Sequence, residues 1–300
     1  MQLEHVSCDL CGGLEYRVRY RKPDNWLRLN LFEFPVVECD HCGLVYVNPR
    51  PTIESMAAFY PEGYHDDRDS EAFRKRYEAQ MAMLPDLSGA NVLDIGCARG
   101  DFLSYLLDHG PAFQAHGIDA FSNGVGDSRI DFMQSTFEDT GYPPDHFDVV
   151  MSWAVFEHIH HPSAYFAEAA RVLKPGGKLV ILVTNAESLY GRSAYSEDVP
   201  RHTYHYSART LSSYARKSNL RLDRIVYDDR IFDGRGKGAL RMLLGRLAGF
   251  TWERPMLNEL KLHHRWAMKL GSLLDLMVFS SHWEAALGRN GIMIATYDKP

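Results

Sequence analysis

The sequence predicts an α/β fold built on a mostly parallel sheet. From Asn91 onward, short apolar segments of strand length alternate with segments of helical periodicity. The predicted helices end at Gly or Pro-Gly-Gly stops, as after "DFLSYLLDH" and "RVLK". A glycine-containing turn, Gly96 to Gly100, joins the first of these strands to the first helix. Strands that alternate with helices are typical of crossover connections in a parallel sheet.

Composition and charge narrow the class of protein. The 300 residues are 45% hydrophobic and 24% charged, which is ordinary for a globular protein with a sizeable core. The net charge of −6 does not favour a broad nucleic-acid surface. No apolar run approaches the roughly 20 residues that span a bilayer, and the N-terminus lacks a signal-peptide pattern. We therefore expect a cytoplasmic protein.

Within the predicted α/β domain, seven strands and three helices are expected from Asn91 onward. The strands are "NVLDI", "AFQAHGID", "IDFMQS", "FDVVMSW", "KLVILVT", "LRLDRIVYD" and "NGIMIATYD". The helices between them are "GDFLSYLLDHG", "PSAYFAEAARVLKPGG" and "SARTLSSYARKSN". A further helix, "SEAFRKRYEAQMAML", precedes the first strand, after a break at Pro61 and Gly63.

The pattern divides the chain into four predicted parts. They are a cysteine-containing module (1–50), a helical connector (51–88), the α/β domain (89–229 and 289–300) and a helical insertion (230–288). In the insertion, one helix carries an apolar face of Leu240, Leu243, Leu244, Leu247 and Phe250, and a second helix runs from about Asn258 to Phe279. Such a face favours core packing. The insertion is predicted to form a lid or a dimer face, and its Arg residues leave contact with a membrane surface open.

The stretch "VLDIGCARGDFL" carries the clearest indication of a ligand. Gly96 and Gly100 allow a sharp turn and close backbone approach, and the helix that follows offers free N–H groups to an anion. The dinucleotide pattern G-x-G-x-x-G is absent. Asp119 ends the second strand, where a carboxylate can accept hydrogen bonds from ribose hydroxyls. Together these features suit a nucleoside whose other end carries a carboxylate.

Several segments in order resemble class I S-adenosylmethionine-dependent methyltransferases. They are "LDIGCARG", "GIDA", "FDVVMSWAVFEHIHHP" and "RVLKPGGKLVILV", within residues 85–228. "NAESLYGRSAYSEDVPRHTYHYSARTL" and the run "CDLCGG…VVECDHCGLVYVNPRPT" resemble a bacterial subgroup with an N-terminal four-cysteine module. The resemblance implies a Rossmann-like fold with a mostly parallel seven-stranded sheet and an antiparallel last strand. A small zinc-ribbon-like module would precede this sheet, and a helical insertion would precede its last strand.

The resemblance also implies contacts to S-adenosylmethionine. Asp94, Gly96 and Gly100, with Cys97 and Ala98 between them, would shape the pocket for the methionine half, and Asp119 would hold the ribose. Thr136 and Phe137 would lie near the adenine, and Ser152 and Trp153 near the sulfonium. Ala98 stands where many members have Gly, a change expected to be tolerated. The link "AFSNGVGDSR" is too short for the usual helix, which predicts a more open adenine side. Cys97 is either a small buried residue or a reactive thiol.

Four of the five cysteines form two C-x-x-C pairs, Cys8 with Cys11 and Cys39 with Cys42. Four thiolates on two knuckles suit a structural, tetrahedral Zn²⁺ site, and we expect positive φ at the glycine after each pair. The module would brace the N-terminus over the substrate cleft or grip a substrate or carrier. The mixed basic and aromatic stretch "YRVRYRKPDNWLRLN" keeps RNA binding open, beside a solvated loop face.

The candidate bases are His202, His158 and Glu157. Methyl transfer from a sulfonium needs a base only if the acceptor must lose a proton. His202 follows the fifth strand in "PRHTYHYS" and is a base, a substrate contact or a loop anchor. His205 and Tyr206 are expected to pack before the next helix.

Glu157 and His158 follow the fourth strand and resemble the Glu-His pair of ubiquinone-pathway O-methyltransferases. In those enzymes the pair helps to hold a metal with an acid three residues earlier. Ala154 occupies that position here, so no catalytic metal is expected, and His158 either acts as a base or orients the cleft. His160 is expected at the surface and His161 at a helix N-cap, both without a chemical role.

The sequence thus predicts a methyltransferase that acts on a small-molecule, sugar or glycan acceptor in a biosynthetic pathway, by O-methylation. One alternative is an RNA methyltransferase that docks its substrate through the zinc module. The other is a non-catalytic binding protein with the same fold. Nucleic acid is not the expected partner, and peripheral membrane contact and a homodimer stay open.

Overall fold

The computed structural model describes residues 1–24, 32–60, 70–189, 198–228, 231, 238–250, 260–279 and 283–300. The chain forms two compact units. The first comprises Met1–Glu62, Thr184–Ser207 and Tyr227–Met293, and the second comprises Gly63–Val183, Ala208–Val226 and Ile294–Pro300. The predicted break at Pro61 and Gly63 and the predicted helix start at Asn258 lie outside the described residues. The four-part division remains our proposal.

The described strands and helices follow one another in chain order. The strands are β1 (Leu3–Glu4), β2 (Tyr16–Lys22), β3 (Phe34–Cys39), β4 (Val45–Val47), β5 (Arg50–Pro51), β6 (Asn91–Ile95), β7 (Gln114–Ile118), β8 (Ile130–Met133), β9 (Phe147–Trp153), β10 (Leu173–Thr184), β11 (Tyr204–His205), β12 (Arg221–Tyr227) and β13 (Ile292–Asp298). The helices are α1 (Ile53–Met56), α2 (Ser70–Met81), α3 (Asp101–His109), α4 (Pro162–Val172), α5 (Ala208–Lys217), α6 (Ala239–Leu247), α7 (Leu262–Val278) and α8 (Trp283–Ala286).

The seven-stranded sheet has the order β12-β13-β10-β9-β6-β7-β8. The pairs β6–β7, β6–β9, β7–β8 and β9–β10 are all parallel. Gly176 of β10 donates its N–H to the carbonyl of Lys299, whereas Asn185, just beyond the other end of β10, donates to Gly291. The last strand therefore runs antiparallel to β10. This arrangement confirms the predicted fold class, and each predicted strand from Asn91 onward is present.

Apolar side chains hold the helices against this sheet. The central strands β6, β9 and β10 are almost entirely buried. Phe166 of α4 stacks on Tyr214 of α5, with ring centroids 5.0 Å apart, and meets Tyr297 of β13 edge-on. Buried parallel strands form continuous apolar runs, which is why the sequence predicts them.

The first unit contains a sheet that the sequence pattern does not predict. Strands β11, β4, β3 and β2 pair antiparallel in that order, and β1 pairs with β5. A small apolar core lies against them, made of Phe34, Val36, Val45, Val47, Met56, Phe59 and Val199. These strands are short, and β11 lies far from the others along the chain, so local periodicity does not reveal their pairing.

The insertion contains the predicted helix pair α6–α7. At their crossing, a Cβ on Gly271 would lie 2.4 Å from the Cα of Arg241, so the two backbones meet closely. Of the predicted apolar face of α6, Phe250 is buried, but Leu243 and Leu247 are exposed. The expectation of core packing is therefore wrong for these two leucines, because α7 contacts only one side of so short a helix. Among the described helices, none is long and apolar enough to cross a membrane.

Candidate active site

The turn after β6 requires glycine at two positions. Gly96 has φ +73°, and a Cβ there would lie 2.5 Å from Val155 Cγ2. Gly100, the N-cap of α3, has φ +77°, and its Cβ would lie 2.9 Å from Val125 Cγ1. Added side chains would clash with Val155 and Val125, so both glycines are required by the positive φ and the close packing of this turn. Ala98 between them has φ +52°, in the left-handed region that favours glycine.

Asp94 is a buried carboxylate beside this turn. Its side chain is almost fully buried on β6, and Oδ1 has no hydrogen-bond partner among the described residues. Burial, and then the charge of Asp119, raise the pKa of Asp94 well above its usual range. A buried acceptor without a donor costs free energy, typically about 1–3 kcal/mol. An ammonium or amide donor on a ligand would relieve that cost.

Asp119 connects the turn to the end of β7. Its Oδ2 accepts a hydrogen bond from the N–H of Ala98 at 2.9 Å, and its Oδ1 accepts from Phe121 and Ser122, both at 2.8 Å. A carboxylate has about four acceptor sites, so these three bonds leave room for roughly one more. As it stands, the Asp119 carboxylate could accept a hydrogen bond from one ribose hydroxyl. A bond from the second hydroxyl would require the carboxylate to give up one of its backbone partners.

Helix α2 contributes residues that were expected only to form part of a connector. The positive charge of Arg76 acts to lower the pKa of Asp94. Tyr77 lies against Phe102 of α3, with ring centroids 5.4 Å apart, and Phe102 meets Trp153 edge-on. No sequence signal singles out Arg76, because Arg74 and Lys75 are neighbouring cations on the same helix.

Three other predicted cofactor contacts make hydrogen bonds to groups of the protein itself. Phe137 is fully buried, and its N–H donates to the hydroxyl of Tyr165 at 3.3 Å. The Ser152 hydroxyl donates to the carbonyl of Ile95 at 3.1 Å, and Thr136 donates to Asp139 at 2.7 Å. Their contact with a cofactor stays a prediction.

Two further predicted contacts are buried beside the turn. The Trp153 indole N–H is buried without an acceptor among the described residues. Cys97 is buried, its sulfur would lie 2.7 Å from a Cβ on Gly117, and burial raises its pKa. These observations favour a packing role for Cys97 over a reactive thiol.

Glu157 and His158 form a single 3₁₀ turn with Phe156 directly after β9. Glu157 is fully buried and His158 is half-buried. Ala154, which opens this connection, has φ +60°. His160 was expected at the surface but is buried. The short link between the 3₁₀ turn and α4 turns this ring inward, and composition alone does not show that.

His202 lies in the first unit, whereas Glu157 and His158 lie in the second. Its Nε2 is 3.4 Å from Asp198 Oδ2, a neighbour that favours the charged ring. Burial, then His205 and Arg201, nevertheless lower the pKa of His202 well below its usual range. Burial in the folded chain therefore favours the neutral form of the His202 ring.

The four cysteines of the N-terminal module come together in the first unit. Their sulfurs all lie within 4.8 Å of one another, with Cys8 and Cys42 3.4 Å apart and Cys11 and Cys39 3.5 Å apart. A tetrahedral Zn²⁺ with Zn–S bonds of about 2.3 Å separates its sulfurs by roughly 3.8 Å. The donor set and spacing therefore fit a metal site of this kind.

The two knuckles have the same backbone geometry. Gly12 and Gly43 each have φ +76° and donate their N–H to the carbonyls of Cys8 and Cys39. Positive φ at both glycines was predicted. Burial raises the pKa of Cys8, and it raises the pKa of Cys42 to about 11. A bound cation would oppose this burial effect by stabilising the thiolates.

Comparison with known proteins agrees with this geometry. The sequence pattern of the methyltransferase domain family matches residues 64–225, which is more than half of the chain. The chain therefore belongs to the methyltransferase domain family. This result confirms the resemblance to class I S-adenosylmethionine-dependent methyltransferases; the four-cysteine module remains a separate observation.

Two curated relatives are similar to this chain. Ubiquinone biosynthesis O-methyltransferase from Bradyrhizobium sp. (strain ORS 278) is 29% identical over 152 residues, 46% of this chain and 59% of that protein. The enzyme of that name from Xanthomonas oryzae pv. oryzae (strain PXO99A) is 30% identical over 158 residues, 46% of this chain and 65% of that protein. The chain thus spans about three fifths of the length of these relatives.

A solved structure supports the fold alone. Haemonchus contortus phosphoethanolamine N-methyltransferase 2, in complex with S-adenosyl-L-methionine, has a TM-score of 0.52 and 17% identity. The match covers 95% of this chain and 68% of that one.

Proposed function

We propose that this protein transfers a methyl group from S-adenosylmethionine to a small-molecule or glycan acceptor, by O-methylation in a biosynthetic pathway. The observation that carries the proposal is the pair Asp94 and Asp119 beside the Gly96–Gly100 turn, with Asp94 Oδ1 buried and without a donor among the described residues. Asp94 would face the methionine end and Asp119 the ribose. The O-methyltransferase names of the two relatives support the oxygen acceptor.

Calorimetry with S-adenosylhomocysteine tests the cofactor site. Asp119→Ala should weaken binding by about tenfold or more, because it removes a charge-assisted hydrogen bond worth roughly 1.5–3 kcal/mol. Asp223→Ala is the matched control, since Asp223 is an exposed carboxylate on β12 of the same sheet. No binding by the unmodified protein at millimolar ligand would leave the non-catalytic alternative in place.

Arg76 is proposed to contact the carboxylate of the methionine half. Arg76→Gln should weaken S-adenosylhomocysteine binding and should weaken binding of methylthioadenosine, which lacks that carboxylate, much less. Arg74→Gln, at an exposed position on the same helix, is the control. Equal losses for both ligands would show that Arg76 only supports the fold.

Acceptor deprotonation is assigned to the Glu157–His158 pair or to His202. A methyl-transfer assay over a panel of phenols, sugars and amines would identify an acceptor. With that acceptor, Glu157→Gln and His158→Ala should lower kcat while S-adenosylhomocysteine affinity stays near normal, and His161→Ala, at an exposed neighbour, should change neither. If both variants keep near-normal turnover, the pair is structural and His202→Gln becomes the decisive variant.

We further propose that the four cysteines hold a structural Zn²⁺. Metal analysis should find about one zinc per chain, and Cys39→Ala should lose it and destabilise the module. Cys97→Ala should keep the zinc, because Cys97 lies in the glycine turn of the other unit. A metal-free protein with unchanged stability would refute the zinc site.

Docking of RNA on this module has less support. Arg17 and Arg19 of β2 make ion pairs with Glu38, and Arg17 also pairs with Asp40. Acidic partners reduce the positive potential that a phosphate backbone requires. The cytoplasmic location and the homodimer stay proposals.

A further inference from the structure

Helix α7 has an unusually polar inner face. The residues of α7 that are buried are His264, Met268, Gly271 and Asp275, which follow one another at helical spacing. Asp275 accepts hydrogen bonds from the N–H groups of Gly238, Leu240 and Arg241, so it caps the start of α6. The buried face of α7 therefore packs at the close crossing with α6 more than against an apolar core.

The opposite face of α7 is apolar and exposed. It consists of Leu262, Trp266, Leu270, Leu273 and Met277, whose exposed fractions lie between 53% and 70%. Their spacing of three and four residues places them along one stripe, on the far side of the helix from the buried residues. Single exposed leucines are ordinary, but a continuous stripe that is more apolar than the buried face of its own helix indicates a docking surface.

In the described parts of the two helices and their flanks, the exposed charges are all positive. Within residues 238–250 and 260–279, the cations are Arg241, Arg246, Lys261, Arg265 and Lys269. The one acid in those ranges is Asp275, which is buried and engaged by the three N–H groups of α6. The whole chain, by contrast, carries a net charge of −6. This surface is therefore a local exception that suits an anionic partner.

We propose that the exposed face of α7 docks on an anionic lipid surface, with the helix lying in the plane of the headgroups. Leu262, Leu270 and Leu273 would enter the acyl boundary, and Trp266 would lie at the interface, where amphipathic rings are favoured. Lys269, whose Nζ lies 5.5 Å from the Trp266 ring centroid, and the exposed Arg265 would meet the headgroup charges.

A second copy of the chain is the less favourable occupant. Pairing two α7 stripes would bring the cations of both copies together without an exposed acid on either described helix to balance them. An anionic bilayer supplies the missing charge and accepts the apolar stripe at the same time. Docking on lipid is independent of the proposed methyl transfer, because its test measures only lipid binding.

Vesicle flotation with the full chain tests the proposal. The protein should float with phosphatidylcholine–phosphatidylglycerol vesicles and bind phosphatidylcholine vesicles much more weakly. Leu270→Gln combined with Leu273→Gln should weaken binding to the anionic vesicles by about tenfold or more, because both changes remove apolar area that docking would bury. Leu14→Gln is the control, since Leu14 is a 75% exposed leucine in the cysteine module.

A variant without the two cations separates the electrostatic contribution to vesicle binding from the apolar contribution. Arg265→Gln with Lys269→Gln should reduce binding to anionic vesicles by about tenfold or more and should reduce its salt dependence, because each cation near the surface attracts anionic headgroups. Trp266→Gln provides a second apolar variant if the double leucine change alters the far-UV spectrum.

Three results would overturn the proposal. They are absence of binding to anionic vesicles, equal loss with Leu14→Gln, and a dimer in sedimentation that Leu270→Gln with Leu273→Gln converts to monomer without any vesicle binding. The last result would assign the stripe to a second copy.

Discussion

Two alanines at this site have a left-handed backbone conformation that alanine disfavours. Ala98 and Ala154 both adopt positive φ, at +52° and +60°, next to the strands that carry the predicted cofactor contacts. A non-glycine residue in this region carries strain of roughly 1–2 kcal/mol. Neither alanine is conspicuous in the sequence, yet each shapes the connection that a ligand would approach.

Ala98→Gly should stabilise the protein by about 0.5–1 kcal/mol. Glycine removes the left-handed strain, and its greater freedom in the unfolded chain offsets part of the gain. Urea unfolding would measure the change. Ala112→Gly, at an exposed loop position without positive φ, should instead be neutral or destabilising. A loss of stability in Ala98→Gly would mean that the alanine methyl group makes compensating contacts.

His205 should make the protein less stable in acid. Burial, then Arg19 and Lys22, lower the pKa of His205 to about 4, below the unfolded value of about 6.5. Between these pH values the unfolded chain binds a proton that the folded chain does not, so stability falls as pH falls from about 6.5 towards 4. The loss has an upper limit of roughly 3 kcal/mol.

Urea unfolding as a function of pH measures the contribution of His205. His205→Gln should flatten the curve over this window. His109→Gln, at an exposed ring on α3, should leave the curve unchanged. An unchanged slope in His205→Gln would show that other groups cause the acid sensitivity.

At the scale of elements, the sequence predicted the strands of the parallel sheet and did not predict the antiparallel strands. β6, β9 and β10 are continuous apolar runs, because both faces of a parallel sheet are covered. β2 reads YRVRYRK and is mostly exposed, and β11 has two residues. Their pairing depends on contacts between distant parts of the chain.

Gly271→Ala should disrupt the α6–α7 pair. The added Cβ would lie 2.4 Å from the Arg241 Cα and 2.6 Å from its N, and a backbone cannot yield as a flexible side chain does. Overpacking of this kind costs about 1–3 kcal/mol, despite the better helix propensity of alanine. Thermal unfolding followed by circular dichroism would detect a lower midpoint.

The neighbouring residue supplies the control for this crossing. Ser272→Ala removes a hydroxyl that donates to the Met268 carbonyl within the same helix, and should change the midpoint little. A gain in stability for Gly271→Ala would contradict the close crossing.

At the scale of the whole molecule, the two units share one continuous chain that passes between them repeatedly. The first unit combines the cysteine module with residues 184–207 and 227–293, so the sheet of this module includes β11, which lies far along the chain. The family pattern at 64–225 covers most of the second unit but reaches into the first at residues 184–207. Each unit is thus assembled from separate stretches of the chain.

Cofactor binding should raise the stability of the folded chain. With S-adenosylhomocysteine at about 100 times its Kd, the free energy of unfolding should rise by about 2.7 kcal/mol. Asp119→Ala should lose about half of this increment or more at the same ligand concentration, because a tenfold higher Kd leaves about 1.4 kcal/mol, whereas Asp223→Ala should keep it. Urea unfolding followed by the far-UV signal gives the measurement, and an undiminished increment in Asp119→Ala would place the ligand elsewhere.

The sequence by itself determined the α/β class, the glycine turn, the position of Asp119 and the two cysteine pairs. Each of these features is visible locally in the sequence, as the periodicity of apolar residues, as a turn that needs glycine, or as a fixed spacing of cysteines. The tertiary structure decided that the charge of Arg76 acts on Asp94, that His160 and His202 are buried, and that the apolar stripe of α7 faces outward. Those properties depend on which surfaces pack against each other, and that packing involves residues far apart in the sequence.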